Sequence, residues 1–253
     1  MNRTEKVSRF FELHAQKVPL ILYNAWDTGS AKAILAAGSP AIATSSWAIA
    51  EAHGYRDGEM IPFDFAERIV SRIVSSIDAP VSVDFEGGYS EDDDELAANV
   101  SRLIEIGAVG INFEDRLVHG TGLYDIDRQA QRIAAIRTAA DRQGVAFFIN
   151  ARTDLFLGQG SNSEQAVDAA LTRAKAYANA GASGFFIPGL QDERLIGRIC
   201  EGADLPVNVM MMEDGTAPVE RLRALGVARI SYGAAPYIAC MDALKEHAKK
   251  VLS

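Results

Sequence analysis

The sequence predicts an α/β chain folded as one (β/α)8 TIM barrel over residues 1–253, a single domain, and three observations predict it. Short apolar runs recur at intervals of roughly 20 to 40 residues, the spacing of strands separated by a helix and its turns. Segments of helical periodicity fill the intervals, and that alternation implies a parallel sheet. Glycine falls where several of the helical segments should stop. The length suits the reading, since such barrels reach about 250 residues around a single core.

Taken in order, the apolar runs are Leu20 to Ala25, Ala41 to Ser45, Val81 to Phe85, Val109 to Phe113, Ala146 to Ala151, Gly184 to Pro188, Val207 to Met211 and Arg229 to Tyr232. Eight strands are what closure of this barrel requires. Helical segments include Ser30 to Ala37, Phe65 to Ser76, Glu95 to Ile106, Arg128 to Asp141 and Glu164 to Ala180. Gly38, Gly107, Gly144, Gly181 and Gly226 stand at their ends, where a residue free to take positive φ caps the last turn. The ending Gly-Ala-x-Gly occurs at 107–110 and again at 181–184, the same turn used twice. No linker rich in Pro, Ser or charge divides the chain. An open doubly wound sheet would need G-x-G-x-x-G after the first strand, where this chain reads Asn24-Ala25-Trp26-Asp27-Thr28-Gly29.

With 48% hydrophobic and 23% charged residues the chain can bury a large core. Its net charge of -9 and the lack of any basic run argue against nucleic acid as a partner, because phosphate backbones are met by Lys and Arg surfaces. The acidic run Glu91 to Glu95 precedes an apolar periodic segment and reads as a helix N-terminal cap. No window reaches the about 18 apolar residues of a membrane span, and Met1 to Gln16 is polar and amphipathic, so a cytoplasmic protein with no membrane partner is expected. Cys200 and Cys240 have no partner at metal spacing and read as buried structural thiols.

Barrel enzymes draw their catalytic groups from the C-terminal ends of the strands, and here those ends are acidic. Strand three ends in Asp84-Phe85-Glu86-Gly87-Gly88, and its alternation sends Asp84 and Glu86 to one side. Strand four ends in Glu114-Asp115-Arg116 and strand five in Asn150-Ala151-Arg152-Thr153-Asp154. Carboxylates converging on one mouth repel unless a cation or protons offset them. Mg²⁺, or Mn²⁺ in its place, takes oxygen ligands and is often held by only one or two direct carboxylates, the others acting through water. The competing reading has Asp84 and Glu86 capping helices or pairing with Arg152. Arg152 can grip a substrate carboxylate with its planar fork, or else form an ion pair with Glu114 or Asp154. Thr44-Ser45-Ser46 closes strand two with hydroxyls and small residues that can offer backbone N–H groups to an anion, and Trp47 reads as wall. His119 lies in a glycine-containing loop, Arg116 to Tyr124, expected to act as a gate; the histidine is either an acid/base or exposed and inert.

In order along the chain stand Tyr23-Asn24-Ala25-Trp26-Asp27, Ala43-Thr44-Ser45-Ser46, Tyr55-Arg56-Asp57-Gly58, Val83-Asp84-Phe85-Glu86-Gly87-Gly88-Tyr89, Gly110-Ile111-Asn112-Phe113-Glu114-Asp115 and Ile149-Asn150-Ala151-Arg152-Thr153-Asp154. This set resembles the isocitrate lyase and phosphoenolpyruvate mutase superfamily, over about Leu20 to Tyr232. The resemblance implies Asp84 as the direct Mg²⁺ ligand, with Asp57, Glu86 and Glu114 holding its waters. It implies Thr44, Ser45, Ser46, Arg152 and Asn208 as substrate-binding residues, to which Tyr23 is added as a candidate; Arg152 and Glu114, with His119 from the reading of its loop, make the candidate catalytic set. It further implies a homotetramer, or dimer, that swaps its last helix near Pro236 to Val251 between subunits.

The chemistry implied is cleavage or formation of a bond next to a 2-oxo or 2-hydroxy acid, through an enolate held by Mg²⁺. The chain departs from the superfamily after strand four. Isocitrate and methylisocitrate lyases carry Lys-Lys-Cys-Gly-His or a relative there, whereas this loop reads Arg116-Leu117-Val118-His119-Gly120-Thr121-Gly122 and has no cysteine. That points away from isocitrate lyase and toward a carbon–carbon lyase or hydrolase of the non-cysteine branch, with a small carboxylate as substrate. A phosphonopyruvate-type enzyme acting on a P–C bond is the alternative, Arg116 standing where that branch has lysine. From a different class, a carboxylate-binding barrel without catalysis fits the lost cysteine but not the retained carboxylates. A flavin or nucleotide barrel finds no phosphate-binding glycine pattern after strands seven and eight beyond Tyr232-Gly233.

Overall fold

The structure, a computed structural model, describes residues 1–158, 162–211 and 219–252. The segment after strand seven, at 212–218, therefore lies outside the described residues. The elements run α1 Arg3–His14, β1 Leu20–Leu22, α2 Thr28–Ala36, β2 Ile42–Ala43, α3 Ser46–Ala52, α4 Phe63–Ser76, β3 Val81–Asp84, α5 Asp93–Glu105 and β4 Gly110–Glu114. They continue with α6 Ile126–Arg142, β5 Phe148–Arg152, α7 Glu164–Asn179, β6 Gly184–Phe186, α8 Glu193–Gly202, β7 Val207–Met210, α9 Val219–Ala224, β8 Arg229–Ser231 and α10 Ala235–Leu252.

All pairings are parallel, in the order β1-β8-β7-β6-β5-β4-β3-β2. The ring closes between β1 and β2 just past their ends, where Ala25 N–H donates to Ala43 O at 2.8 Å and Ser45 N–H to Ala25 O at 3.0 Å. Each expected apolar run holds one strand, and the five expected capping glycines all have positive φ, from 68° at Gly144 to 101° at Gly38. The acidic run caps α5 as expected, Asp92 accepting from the backbone N–H groups of Asp94 and Glu95. A helix not expected from the sequence, α3, starts directly at the end of β2 on a Ser45 cap.

Inside the ring one level is polar. Asn112, Asn150, Asn208, Arg229 and Ser231 are all buried there, and Gly184 makes room, since a Cβ on it would stand 2.8 Å from Asn150 Oδ1. The floor is covered by α1, whose Phe10 and His14 rings lie 5.3 and 4.1 Å from the ring of Phe148. At the other end of the chain, α10 is largely exposed, with Ile238, Met241 and Leu244 open. Beside its start an apolar groove of about 620 Å³ runs along Leu13, Val18, Ile21, Tyr23, Trp26 and Pro236. Cys240, expected to be buried, is exposed on α10, because that helix has no barrel wall against most of its length; Cys200 is half-buried, its thiol pushed up to about 12 by burial.

Candidate active site

Strand register builds the site. In the β3-β4-β5 ladder Asp84 stands beside Asn112, and Glu114 beside Arg152. Asp84 is fixed by the start of α3: its Oδ2 accepts from Ser46 N–H at 3.0 Å and from Ser46 Oγ at 2.8 Å, while Asp84 N–H donates to Thr44 Oγ1 at 2.9 Å. Glu86 leaves the strand with φ 51°, and its Oε2 accepts from Gly58 and Glu59 N–H at 2.9 and 2.8 Å. Its Oε1 is buried and has no hydrogen-bond partner. A cavity of about 20 Å³ opens against Ser46, Asp57, Glu86, Glu114, Arg116 and Arg152. That is enough space for one water or one small ion.

Negative charge is in excess there. Burial pushes the Glu86 carboxyl up to about 9, reinforced by Asp57, Asp84 and Glu114. Burial also raises Glu114, because the nearby carboxylates and desolvation outweigh the pull of Arg152. Asp57, nearer the rim, is raised by partial burial and by Asp84. The one cation locked among them is Arg152, whose Nη1 lies 2.9 Å from Glu114 and whose Nε and Nη2 grip Asp154 at 2.6 and 3.0 Å. Burial alone would lower it, and Glu114 and Asp154 raise it on balance. Among the described residues no three His, Cys, Asp or Glu side chains close on one point as a metal cage. The arrangement fits a hard cation held directly by one or two carboxylates, with the rest at water distance, and the orphaned Glu86 oxygen fits the same picture.

Backbone strain gathers at the same place. Among the described residues the non-glycines with positive φ are Glu59, Glu86 and Tyr89, at 59°, 51° and 61°, all in the two loops that meet over the cavity. Such conformations persist only where surroundings enforce them, and they cluster at working sites. Tyr89 N–H donates to Glu59 Oε1 at 2.7 Å, joining the two loops.

The segment after β4 is a short hairpin. Arg116 and Leu123 pair antiparallel, and Leu117 N–H donates to Gly122 O at 3.1 Å. Its base is anchored: buried Asp115 accepts from Tyr177 Oη at 2.8 Å and from Arg173 at 3.1 Å, and Arg173 also donates to Tyr124 O. Arg132 lies beneath, 4.4 Å from the Tyr124 ring, donating to Gly87 O and Ser90 O at 2.5 and 2.8 Å. The hairpin leans over the cavity, with Val118 Cγ2 only 2.7 Å from where a Cβ on Gly87 would stand. Only glycine at 87 allows that approach.

The phosphoenolpyruvate phosphomutase family model matches residues 10–252. The chain belongs to the phosphoenolpyruvate phosphomutase family. The expected kinship with isocitrate lyases and phosphoenolpyruvate mutases thus holds. Among solved structures, a Burkholderia cenocepacia J2315 protein whose assignment as a phosphonomutase is itself provisional superposes with a TM-score of 0.94 at 45% identity, over 97% of this chain and 99% of that one. An uncharacterised protein of Mycobacterium tuberculosis (strain ATCC 25618 / H37Rv) is 34% identical over 96% of this chain and 88% of its own. A 2-methylisocitrate lyase of Bacillus subtilis (strain 168) is 29% identical over 87% of this chain and 72% of its own.

Of the residues this phosphoenolpyruvate phosphomutase family member was expected to use, the structure brings together Ser46, Asp57, Glu86, Glu114 and Arg152 at the cavity, with Asp84 bonded to Ser46. Others stand elsewhere. The backbone donors of strand two are taken: Thr44 N–H by Ser82 O, Ser45 N–H by Ala25 O and Ser46 N–H by Asp84, because barrel closure and the α3 cap use them. Ser45 Oγ caps Ala48 N–H. Tyr23 lies in the outer groove with its ring 5.2 Å from Tyr232, since strand alternation turns Leu22 inward and Tyr23 outward. Asn208 is buried below the mouth and bonded to Ser231. His119 is 69% exposed and borders a neighbouring cavity, its Nε2 4.0 Å from Glu59 Oε2; Val118 and Arg116 are the hairpin residues that reach the carboxylates.

Sequence reasoning missed Glu59, Arg132 and Arg173, while the ion pairs of Arg152 with Glu114 and Asp154, weighed as its alternative reading, are both present. Glu59 leaves no mark, because a positive φ on a non-glycine is imposed by the fold. Arg132 did leave one. On α6 the polar Gln129 and Arg132 share the buried face with Ile133 and Ile136, and a charge on an apolar stripe asks for a partner.

Proposed function

We propose that this family member is a Mg²⁺-dependent carbon–carbon lyase or hydrolase that cleaves the bond next to the 2-oxo or 2-hydroxy group of a small carboxylate. The observation that carries the reading is the convergence of Asp57, Glu86 and Glu114 on one small cavity, with Asp84 held beside it by Ser46, an unpartnered buried Glu86 oxygen and too little positive charge to balance the four carboxylates. Asp84, oriented by Ser46, is the residue to hold the cation directly; Asp57, Glu86 and Glu114 would act through its waters, and Mn²⁺ would serve in its place. When bound, the cation supplies charge that stabilises an anion developing on a substrate oxygen, an effect worth several kcal/mol.

Arg152 contributes orientation. Glu114 and Asp154 use three of its five N–H groups, which leaves one N–H on each terminal nitrogen for a substrate carboxylate. The hairpin from Arg116 to Tyr124 closes over the site and keeps water out, Val118 forming the plug. The exposed α10 and the 620 Å³ apolar groove support a homotetramer in which this helix crosses to a neighbouring subunit. A cytoplasmic location fits the reading, and no helix among the described residues is long and apolar enough to cross a membrane.

A second reading, cleavage or rearrangement of a P–C bond, is favoured by the 45% identity to the protein provisionally assigned as a phosphonomutase. One experiment separates the two. Protein stripped by chelation and restored with Mg²⁺ is given oxaloacetate, methylisocitrate and phosphonopyruvate in turn, with pyruvate, oxalate and phosphate detected. Carbon–carbon products appearing only with the metal are expected. Phosphate from phosphonopyruvate alone would favour the second reading, and full turnover after exhaustive chelation would sink both.

A further inference from the structure

The polar level inside the barrel touches the mouth at Asn112. This residue, in the middle of β4, stands beside Asp84 of β3 on one side and Asn150 of β5 on the other. From β8, across the lumen, the Arg229 guanidinium also reaches it. Asn112 is 4% exposed, so its amide has to be met from within the barrel.

Its partners decide which way the amide faces. Asn112 Oδ1 accepts from Asn150 Nδ2 at 2.9 Å and from Arg229 Nη2 at 3.1 Å, which occupies both lone pairs of that oxygen. A flipped amide would set its own N–H groups against those two donors. The NH2 is therefore held on the other side, 3.5 Å from Asp84 Oδ1. Arg229 is anchored in turn, its Nε donating to Ser231 Oγ at 3.2 Å. Asp84 is thus held at both oxygens, Oδ2 by the two donors of Ser46 at the start of α3 and Oδ1 by the barrel interior. The contact at 3.5 Å is at the long end of a hydrogen bond, so it steers Oδ1 without saturating it.

We propose that Asn112 is a positioning residue for Asp84: its amide, locked by Asn150 and Arg229, sets the rotation of the carboxylate and with it the preference of the site for Mg²⁺ over larger cations. This rests on the reading of Asp84 as a cation ligand under Proposed function and deepens it. The two alkaline-earth ions differ in what they ask of a carboxylate. Mg²⁺ demands near-ideal octahedral geometry at about 2.0 to 2.1 Å, whereas Ca²⁺ accepts roughly six to eight oxygens at about 2.3 to 2.6 Å in varied arrangements. A carboxylate free to rotate still serves Ca²⁺, and Mg²⁺ gains most from one already aimed. Groups that orient a metal ligand are typically worth about 10- to 100-fold in metal affinity.

The test is calorimetric titration of Mg²⁺ and of Ca²⁺ into the chelated full chain, at a temperature well below the melt of every variant, read as the ratio of the two affinities. Asn112→Ala is expected to weaken Mg²⁺ about tenfold or more and Ca²⁺ by less than about threefold. That substitution also leaves Asn150 and Arg229 without their acceptor, so Asn112→Asp is measured beside it. The aspartate keeps an acceptor for both and removes only the donor facing Asp84. Its added charge strengthens the binding of both ions alike, and the Mg²⁺ to Ca²⁺ ratio should still fall by about threefold or more. An unchanged ratio in Asn112→Asp, or equal losses for the two ions in Asn112→Ala, would show that Asn112 only fills the barrel and would overturn the proposal. The underlying reading fails differently: an unmodified chain that takes up neither Mg²⁺ nor Mn²⁺ rejects the cation site itself, before any variant is compared.

Discussion

The two ends of the barrel bury ionisable groups under opposite rules. At the floor, His14 lies between Phe10 and Phe148 with its Nδ1 bonded to Phe10 O at 2.8 Å, and burial, helped by Arg229, drives its pKa down to about 3. Burial likewise brings Arg229 down to about 9. Cations at the floor are pushed toward neutrality. At the mouth, burial drives Glu86 up to about 9, with Asp57 and Asp84 adding to it. The difference lies in geometry. The floor is filled by aromatic rings and regular backbone, whereas the mouth holds strained Glu59, Glu86 and Tyr89 around a small open cavity. A group whose charge is suppressed by packing is structural; carboxylates gathered on open space with their charge unbalanced are what the proposed cation site rests on.

Replacing Asp84 tests the functional half of that contrast most severely. Asp84→Ala should lower metal-dependent turnover by roughly 10³-fold, the several kcal/mol a positioned cation supplies. The fold should persist, since the side chain bonds to Ser46 and packs no core. Turnover on oxaloacetate and a thermal melt of the same sample check both parts. A variant with wild-type rates would move the metal to other residues.

The pH dependence of stability should have opposite signs at the two ends. In chelated protein, folded Glu86 keeps a proton up to about 9 that the unfolded chain releases near 4.5, so its stabilising contribution is full below 4.5 and is lost as pH rises toward 9. The loss should reach a few kcal/mol at most, on the order of 1.4 kcal/mol per pH unit. Glu86→Gln, which cannot ionise, should flatten this limb, and so should Mg²⁺, which favours the ionised form. Urea midpoints at pH 5 and 8.5, with and without chelator, provide the measurement. A wild-type curve already flat without metal would show that the mouth is not electrostatically loaded.

How much of this was legible follows from what each residue type requires of its surroundings. The eight strands and the capping glycines could be read because period and positive φ are local demands. The carboxylates at Asp84, Glu86 and Glu114 could be read because strand ends define the mouth. What could not be read was the allocation of donors. The N–H groups of Thr44, Ser45 and Ser46 are taken by barrel closure and by Asp84, and Tyr23 faces outward by alternation from inward Leu22. The grip of Asp154 on Arg152 across a two-residue gap was weighed only as an alternative, and Glu59 was invisible. Long-range partnerships carry no sequence period, so these could not have been derived from one chain.

At the floor a smaller effect is expected, with the reverse sign. The unfolded chain takes up a proton on His14 near 6.5, whereas the folded protein resists it down to about 3, so stability is full above 6.5 and falls as pH drops toward 3. Between pH 6.5 and 5 this amounts to roughly 2 kcal/mol at most. His14→Phe keeps the stack on Phe148, gives up the bond to Phe10 O at about 1 kcal/mol, and should lose less stability on acidification. Parallel loss in both proteins would assign the acid limb to other groups.

The smallest expected effect separates the closing hairpin from its histidine. His119 is 69% exposed and 4.0 Å from Glu59, a geometry that for a surface pair is worth about 0 to 1 kcal/mol. With the hairpin placed as it is, Val118 and Arg116 face the carboxylates and His119 does not. His119→Ala should therefore change turnover by less than about threefold and leave Tm nearly unmoved, while deleting residues 119–121 should damage turnover by removing the cover over the cavity. Single-turnover rates for both variants, at saturating Mg²⁺, make the comparison. A loss of about 10²-fold in His119→Ala with an unchanged melt is the worth of a positioned acid/base. That result would mean that the hairpin swings further inward with substrate bound than it stands here, carrying the imidazole to the reacting carbon, and the mouth would then owe its proton chemistry to a residue it reaches only when closed.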